Sequence, residues 1–395
     1  MPLPLYLLAV AVFAMGTSEF MLAGLVPDIA ASLDVSVGAA GLLTSAFAVG
    51  MVVGAPLMAL LARRWPARAS LLTFVLVFAV AHVAGALTTS FAVLLVSRVI
   101  AALANAGFLA VALTTAATLV AADQKGRALA VLLSGTTVAT IAGVPGGALL
   151  GAMLGWRATF WAIALLCLPA ALGVVKGIPA RVGGTDLDGV PTSSLWEEVA
   201  QLTRPRLALV MLLGALVNAA TFATFTFLAP IVTDTAGLGE LWVSVALVLF
   251  GVGSFVGVTV AGRFSDRRPG IVIAVGGPAL LLGWVAMASL AARPMALLPL
   301  VFVQGALSFA LGSTLIARVL YEAAGAPTMG GSYATAALNI GAAGGPVLAA
   351  AALGADSGDL GPVWVSSTLV AVALLIALPL LRLVARSPER AVLAG

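Results

Sequence analysis

Four ionisable side chains stand out because they occur within long apolar stretches or at the end of one: Glu19, Asp28, His82 and Arg98. A charged side chain at the centre of a membrane-spanning helix costs about 2.5–3.5 kcal/mol on insertion scales. Such a residue is therefore usually functional or paired with another group. A carboxyl group there can bind and release a proton, and a nearby guanidinium can bias that exchange through its charge. These residue types therefore indicate proton transfer within a membrane.

Glu19 is the principal candidate for a proton carrier, because it lies well inside an apolar stretch. The helical rise places Glu19 about 12 Å and Arg98 about 9 Å below the outer membrane surface. At these depths the two side chains can act as coupling partners or form a static ion pair. Asp28 is a weaker candidate, since water reaches the end of a span. His82 titrates in a useful range, but a single His on an outer helix is more often a bonded interior residue or a residue at the lipid edge.

Composition restricts the class of protein that positions these groups. Hydrophobic residues make up 62% of the 395 and charged residues 9%, whereas a soluble domain has about 25% charged residues. A soluble enzyme is therefore excluded. The net charge of +4 is spread over short clusters, so nucleic acid is not an expected partner. A single Cys and a single His provide neither a disulfide nor a Cys/His metal cluster, and no cofactor or metal is expected.

Apolar runs of about 20 residues predict an all-α integral membrane protein with twelve transmembrane helices in two six-helix halves. The predicted domains are an N-terminal half, 1–180, a cytoplasmic linker, 181–206, and a C-terminal half, 207–395. A short interfacial helix is expected near 195–202. The predicted spans, numbered 1 to 12, are 5–27, 38–60, 70–88, 92–115, 128–151, 158–178, 207–230, 241–262, 271–291, 295–317, 332–353 and 363–384.

The basic residues orient these spans. If the N-terminus is cytoplasmic, all 19 Lys and Arg residues fall on the inner side except Arg157, Arg293 and the intramembrane Arg98. Cytoplasmic loops carry such an excess of Lys and Arg. The sequence therefore predicts a multi-pass protein of the cell membrane with both termini in the cytoplasm.

The two halves carry an internal repeat. One constant offset aligns Pro27 with Pro230, Gly50 with Gly253, Gly54 with Gly257 and Arg64 with Arg267. Parallel repeats imply a pseudo-two-fold axis along the membrane normal and a substrate site near the midplane. The same offset aligns Glu19 with Phe222 and Arg98 with Val301, so proton handling is expected in the first half only.

Polar and aromatic residues within the spans are the candidates for substrate contact. In span 7 they recur on one helical face at i, i+3, i+4 and i+7. Such a lining suits a neutral, mostly apolar, drug-sized molecule, although these side chains equally bond between helices. The candidates are Asn105, Thr136, Thr137, Thr140, Asn218, Thr221, Phe222, Phe225, Gln304, Ser308, Tyr333 and Asn339.

Several motifs resemble those of the major facilitator superfamily. The loop 262–268 (GRFSDRR) is similar to the family's signature loop, and 59–68 (ALLARRWPAR) is a degenerate copy in which Arg63 replaces the usual Asp. Stretches 98–102 (RVIAA), 143–147 (GVPGG) and 155–160 (GWRATF) resemble those of twelve-span drug:proton antiporters. More narrowly, 23–30 (AGLVPDIA), 104–110 (ANAGFLA) and 321–328 (YEAAGAPT) resemble actinobacterial chloramphenicol-resistance exporters.

The resemblance implies a proton-coupled exporter, functional as a monomer in the bilayer, that expels chloramphenicol or similar neutral amphenicols by alternating access. It also implies a charged inner latch, formed by Arg64, Gly262, Asp266 and Arg267. The remaining implication is a seam of small residues on spans 5 and 8 where the two halves meet, for which ordinary tight packing is the alternative. The seam residues are Gly143, Pro145, Gly147, Gly151, Gly253 and Gly257.

Three other functions remain to be compared with this one. A sugar or nucleoside exporter of the same fold would share most of these motifs. A membrane-embedded enzyme would need a nucleophile with His or paired acids, and His82 with Glu19 does not supply that set. A passive ion channel is disfavoured because the spans lack rings of charge.

Overall fold

The computed structural model describes residues 2–61, 66–121, 124–178, 195–265, 269–326, 329–354, 358–377 and 379. Among these residues, eleven helices are long and apolar enough to cross a membrane, and the helix Gly361–Ala377 is a shorter apolar one. The backbone N–H and C=O groups of each helix form hydrogen bonds within that helix. Apolar side chains lie on all faces of the helices, so their surfaces can contact other helices or lipid. The predicted all-α membrane architecture is confirmed.

The chain separates into two compact units, Met1–Thr192 and Ser193–Gly395. The helices of the first unit are α1 Leu3–Phe20, α2 Val26–Leu33, α3 Val37–Leu61, α4 Ala67–Leu87, α5 Phe91–Thr118, α6 Lys125–Val138, α7 Val144–Leu154 and α8 Trp156–Gly177. Those of the second are α9 Leu195–Ala200, α10 Pro205–Thr226, α11 Leu228–Pro230, α12 Leu241–Ser265, α13 Pro269–Leu290, α14 Pro294–Glu322, α15 Gly330–Gly354 and α16 Gly361–Ala377.

Three predicted spans are interrupted rather than continuous. Span 1 ends as an α-helix at Phe20 and continues as a 3₁₀ turn, Met21–Gly24, before α2 begins. Span 7 ends at Thr226, and a π turn, Ile231–Thr235, follows the short helix α11. In span 5 a π turn, Ala139–Gly143, separates α6 from α7.

Proline accounts for the interruption of span 5. Pro145 lies in the first turn of α7, where its missing N–H cannot bond the carbonyl four residues earlier. That carbonyl belongs to Ile141, within the π turn. Gly155, at a φ of 82°, then separates α7 from α8 in a backbone conformation that suits glycine.

The internal repeat has a counterpart in the packing of each unit. In the first unit, α3 packs against α5 where Gly50 faces Val99 and Gly54 faces Leu103. In the second unit, α12 packs against α14 with the matching pairs Gly253 and Phe302, Gly257 and Ala306. Because small residues allow the backbones to approach closely, both units use the same sequence positions for the same helix contact.

A buried carboxylate holds α9 to the start of α15. Glu198 is 2% exposed, and its Oε2 accepts a hydrogen bond from the Met329 backbone N–H at 2.9 Å. The Tyr333 hydroxyl donates to the backbone carbonyl of Glu198 at 2.7 Å. Met329 immediately precedes α15, where the helix dipole favours a negative charge. The last part of the predicted linker is therefore folded onto the second unit.

Replacing Gly257 by Ala should destabilise the protein, because the new Cβ would lie within 3.0 Å of the Ala306 backbone. Overpacking of this kind costs about 1–3 kcal/mol. Gly262 on the same helix is the matched control, since a Cβ there meets no described atom within 4 Å. Gly262→Ala should gain up to about 1 kcal/mol from helix propensity. The midpoint of thermal unfolding in detergent should therefore fall for Gly257→Ala and stay level or rise for Gly262→Ala. Equal shifts of the midpoint in the two variants would contradict the close contact at Gly257.

Glu198→Ala should lower the thermal midpoint more than Glu198→Gln. The alanine variant leaves the Met329 N–H without its side-chain acceptor, a loss of about 1–3 kcal/mol. The glutamine variant keeps an acceptor oxygen and loses only the charge–dipole contribution of about 0.3–1 kcal/mol. Tyr333→Phe, which removes the second bond, is the companion measurement. Identical midpoints for alanine and wild type would show that α9 is not held in this way.

Candidate functional site

A buried polar network in the first unit joins three helices through Ser18, His82 and Arg98. The Ser18 Oγ lies 2.7 Å from His82 Nε2 and 2.7 Å from Arg98 Nη1. Arg98 Nη2 also donates to the Ser18 carbonyl oxygen at 2.7 Å. All three residues are at most 1% exposed, so these contacts replace the water that the polar groups would otherwise bind.

The hydrogen bonds define a direction of donation. His82 Nδ1 lies 2.8 Å from the Phe78 carbonyl oxygen, which can only accept, so Nδ1 carries a proton. A neutral ring then leaves Nε2 as an acceptor for the Ser18 hydroxyl, whose oxygen accepts from Arg98. A doubly protonated His82 would instead bring a second cation to the same hydroxyl oxygen. The arrangement therefore favours the chain Arg98 N–H to Ser18 O–H to His82 Nε2.

The end of α1 explains why Arg98 binds at this point. Ser18 lies in the last turn of α1, where carbonyl groups lack the N–H partners of an uninterrupted helix. A cation at a helix C-terminus also interacts favourably with the helix dipole. The opposite side of the guanidinium lies over the Phe47 ring, 4.5 Å from its centroid. Arg98 is thus held between α1 and an aromatic ring of α3.

Glu19 lies beside this network without a direct ion pair. Its side chain is half-buried in the last turn of α1, and it interacts electrostatically with Arg98. Glu19 and Arg98 form no ion pair within 4.0 Å, whereas Arg318 and Glu322 do, at 3.0 Å. The sequence allowed a static Glu19–Arg98 ion pair as the alternative to coupling. The structure instead directs the hydrogen bonds of Arg98 to Ser18.

The other two ionisable candidates have different surroundings. Asp28 is exposed in the first turn of α2, where a carboxylate is favoured by the helix dipole. His82 is fully buried, and its ring lies 4.3 Å from that of Phe78 and 5.7 Å from that of Phe160. The expectation that His82 is internally bonded agrees with this position, but the sequence did not connect it with Arg98.

Two groups of predicted substrate residues belong to the first unit. Asn105 is buried, with Nδ2 3.6 Å from the Met51 sulfur, and its Oδ1 has no hydrogen-bond partner among the described residues. Thr136 and Thr137 are half-buried on α6, and Thr140 donates to the Thr137 carbonyl at 2.9 Å. Asn105 is consequently the member of this set with a buried polar atom still able to accept a hydrogen bond.

In the second unit the structure brings together an aromatic cluster of four phenylalanines. Ring centroids lie 6.1 Å apart for Phe222 and Phe225, 4.6 Å for Phe225 and Phe250, and 6.0 Å for Phe250 and Phe309. The sequence selected the first two but not Phe250 or Phe309, since one aromatic residue within an apolar helix carries no distinctive pattern. This cluster joins α10, α12 and α14.

A small void lies next to the aromatic cluster. Phe225, Phe250, Trp284 and Gln304 line it together with other residues of the second unit, and its volume is about 10 Å³. Drug-sized ligands occupy pockets of about 300–1,000 Å³, so a substrate could enter here only after side chains move. Gln304 Oε1 and Trp284 Nε1 are buried and have no hydrogen-bond partner among the described residues.

Most other polar candidates of the second unit bond to nearby backbone. Asn218 donates to the Leu338 carbonyl at 2.7 Å, Thr221 to Val217 at 2.9 Å and Asn339 to Thr335 at 3.0 Å. Tyr333 uses its hydroxyl on α9. The buried hydroxyl of Ser308 has no partner among the described residues. Among the polar candidates of the second unit, Gln304 and Ser308 on α14 therefore carry the buried atoms without a partner among the described residues, and the substrate contacts stay a prediction.

The proposed seam residues make close contacts within their own units. A Cβ on Gly143 or Gly147 would face Thr17 or Thr159, and one on Gly151 would face Leu25. Pro145 lies between them in the first turn of α7, and Gly253 and Gly257 face α14. These contacts agree with tight packing within each unit, a reading that does not exclude the seam between the halves, and the seam stays a prediction.

Of the predicted latch residues, Gly262 is exposed near the end of α12. Arg64, Asp266 and Arg267 lie outside the described residues. The latch accordingly stays a prediction.

A cavity of the first unit lies away from these candidates. It is an open groove of about 350 Å³ between α4 and α5, with Val77, Val93 and Ile100 among its apolar lining residues. None of the predicted substrate residues lines it. Its apolar lining on two membrane-length helices is suited to lipid tails.

Comparisons with known proteins agree with this architecture. The profile of the Major Facilitator Superfamily matches residues 8–346. The chain is 74% identical over 379 residues to a chloramphenicol resistance protein of Streptomyces lividans, with 96% of each chain covered. It is 32% identical over 352 residues to the inner membrane transport protein YdhP of Escherichia coli K12, with 88% of this chain and 89% of that protein covered.

Solved structures show the same fold at low identity. A bacterial homologue of the human lysosomal transporter Spinster, inward-facing and unoccupied, gives a TM-score of 0.79 at 18% identity and covers 98% of both chains. The nucleoside transporter NupG gives a TM-score of 0.76 at 14% identity, covering 96% of this chain and 99% of that one.

Proposed function

Because this chain belongs to the major facilitator superfamily, a family of transporters, we propose that it is a proton-coupled exporter of chloramphenicol or similar neutral amphenicols. The chain is a multi-pass membrane transporter and not an enzyme. The proposed substrate rests on the 74% identity, over 96% of both chains, to a protein named for chloramphenicol resistance. Amphenicols are uncharged and combine an aryl ring with hydroxyl and amide groups.

The chemistry of the second unit supports this substrate class. The Phe222–Phe225–Phe250–Phe309 cluster offers ring faces and edges, which attract an aryl group by about 0.5–1.5 kcal/mol per pair. Gln304 and Ser308 carry buried polar atoms with no partner among the described residues, and these atoms can bind hydroxyl or amide groups. A neutral ligand needs no charged partner, and none of these lining residues is charged.

In the proposed cycle, Glu19 takes up a proton from the outer side and releases it to the cytoplasm, while the substrate moves outward. Burial makes the carboxylate costly and favours proton binding, whereas the nearby Arg98 favours release. For one proton and a neutral substrate, 100 mV contributes ~2.3 kcal/mol and one pH unit ~1.4 kcal/mol. Together they can sustain roughly a 500-fold substrate gradient.

Glu19→Gln should abolish this coupling, because the amide cannot carry a proton. In proteoliposomes with an imposed pH gradient, wild type should show chloramphenicol-dependent proton movement and the variant should show none. Asp28→Asn is the matched control, since Asp28 is exposed at the helix end, and it should retain at least half of the wild-type flux. Equal coupled flux in Glu19→Gln and wild type would move the proton site to another residue.

Phe225→Leu should weaken substrate binding while the helices remain packed. The loss of one ring pair, about 0.5–1.5 kcal/mol, should raise the KM for chloramphenicol about 2- to 12-fold. Phe255→Leu is the matched control, because Phe255 on α12 is 49% exposed and should leave KM unchanged. An unchanged KM in Phe225→Leu would exclude the aromatic cluster from the substrate site.

The second candidate, a sugar or nucleoside exporter of the same fold, differs in what it must bind. Such substrates need many hydrogen-bonding groups, whereas Asn218, Thr221 and Asn339 already bond to backbone carbonyls. Competition separates the two functions. Unlabelled amphenicols should inhibit labelled chloramphenicol export, and a mono-saccharide or uridine should not.

A further inference from the structure

We propose that His82 is a positioning residue for the proton site: by accepting a hydrogen bond from the Ser18 hydroxyl, it keeps Arg98 bound to the end of α1 and away from a direct ion pair with Glu19. This inference rests on the proposed role of Glu19. It assigns a function to a buried ring on α4 that has no direct contact with the carboxyl group.

The first step of the argument is the commitment of the Ser18 hydroxyl. A hydroxyl group has one proton to donate and two lone pairs with which to accept. Because the hydroxyl donates its hydrogen bond to His82 Nε2, with Oγ and Nε2 2.7 Å apart, its oxygen lone pairs remain to accept from Arg98 Nη1 at 2.7 Å. Removal of the acceptor at position 82 frees the hydroxyl to rotate toward backbone carbonyls of its own helix, as serine does in helices.

The second step is the geometry of His82 itself. Its Nδ1 is bonded to Phe78 O at 2.8 Å, and its ring packs between Phe78 and Phe160. The ring is therefore fixed in both position and tautomer. A chain of hydrogen bonds with fixed ends is also mutually strengthening in a low-dielectric interior. Arg98 consequently lies at the end of a rigid chain rather than on a flexible contact.

The third step concerns Glu19. Glu19 directly follows Ser18 in the chain, and its carboxyl group interacts electrostatically with Arg98. An Arg98 side chain released from Ser18 would gain most by bonding a carboxylate directly, because charge-assisted bidentate pairs are stronger. Such a pair would favour the ionised carboxylate, so Glu19 would bind its proton only at lower pH.

The elements in contact with α1 carry a small set of other ionisable side chains. They are Arg68 and His82 on α4, which contacts α1 through the Ser18–His82 bond, Arg98 on α5, Lys125 and Arg127 on α6, and Arg157, Cys167 and Lys176 on α8. Tyr6 is on α1 itself. The sequences of α3 and α7 and of the two turns that contact α1 contain no ionisable side chain.

The test is a pH titration of the Glu19 carboxyl group in the purified full-length protein in liposomes, followed by the infrared carbonyl band of the protonated acid. Its absence in Glu19→Gln assigns the band. His82→Leu should move the midpoint to lower pH by at least half a unit, whereas His82→Gln, whose side-chain oxygen can accept from Ser18, should restore most of the wild-type midpoint. The pH profile of chloramphenicol export should shift in parallel.

A second variant keeps the test decisive if His82→Leu does not fold. Ser18→Ala removes only the hydroxyl and should shift the midpoint in the same direction. Adding His82→Leu to Ser18→Ala should then cause no further shift, because both changes break one chain. An unshifted midpoint in Ser18→Ala, or additive shifts in the double variant, would overturn the proposal.

Failure of the proposed function would appear differently. If Glu19 is not the proton carrier, the export profile of Glu19→Gln keeps its pH dependence, whatever the His82 variants do to the infrared band. If Glu19 is the carrier but His82 plays no positioning part, Glu19→Gln loses the pH dependence while His82→Leu matches wild type.

Discussion

The guanidinium of Arg98 imposes the strictest constraint on the first unit, because a cation that is 1% exposed within a membrane helix must find its partners inside the protein. Ser18, in the last turn of α1, provides both hydrogen-bond acceptors, its backbone carbonyl oxygen and its hydroxyl oxygen. An unbroken span 1 would have committed that carbonyl to its own helix. The 3₁₀ turn after Phe20 is therefore part of the site as well as a feature of the fold.

The same break determines the surroundings of Glu19. Because Arg98 is held by Ser18, Glu19 experiences the positive charge without being locked into an ion pair. A buried carboxyl group that is permanently paired with a cation would stay ionised, and a fully buried one far from any cation would stay protonated. A proton carrier needs neither extreme. The Ser18–His82 bond, remote from the carboxyl group, is what maintains the intermediate situation in our proposal.

The sequence was sufficient to predict the helical membrane fold, the number of apolar helices and the family, since these follow from long apolar runs and from motifs. It was also sufficient to single out Glu19 and Arg98, because charges are conspicuous in such runs. It did not predict the interruptions after Phe20 and Thr226, because the residues that follow, Met21–Gly24 and Leu228–Pro230, continue the apolar run.

Side-chain partners were harder to predict than elements. Ser18 and Glu198 were missed because a serine in an apolar helix is common and an acid in a polar linker is ordinary. Their importance arises from residues far along the chain, namely Arg98 and Met329. Likewise, Tyr333 combines an aromatic ring with a hydroxyl, as a substrate contact would, yet its hydroxyl donates to the Glu198 carbonyl on α9. Such pairings depend on tertiary packing, which periodicity does not encode.

The repeat offers an argument for why the two units differ in chemistry. The offset that pairs Gly50 with Gly253 also pairs Arg98 with Val301, and Val301 lines the small void beside Phe225. The positions of the buried residues along α13 match those along α4 when the sequence offset between the two units is one residue shorter than for the glycine pairs. This alignment places Trp284 at the position of His82. Trp284 lines the same void.

The second unit therefore has an apolar, aromatic void at the place in the repeat where the first unit has its charged network. A proton and a neutral ring require opposite surroundings, since one needs ionisable and polar groups and the other needs apolar surface. Two copies of one ancestral arrangement can satisfy both requirements only by diverging at these positions. The replacement of Glu19, His82 and Arg98 by Phe222, Trp284 and Val301 is the divergence that the proposed exchange of protons for an uncharged aromatic substrate requires.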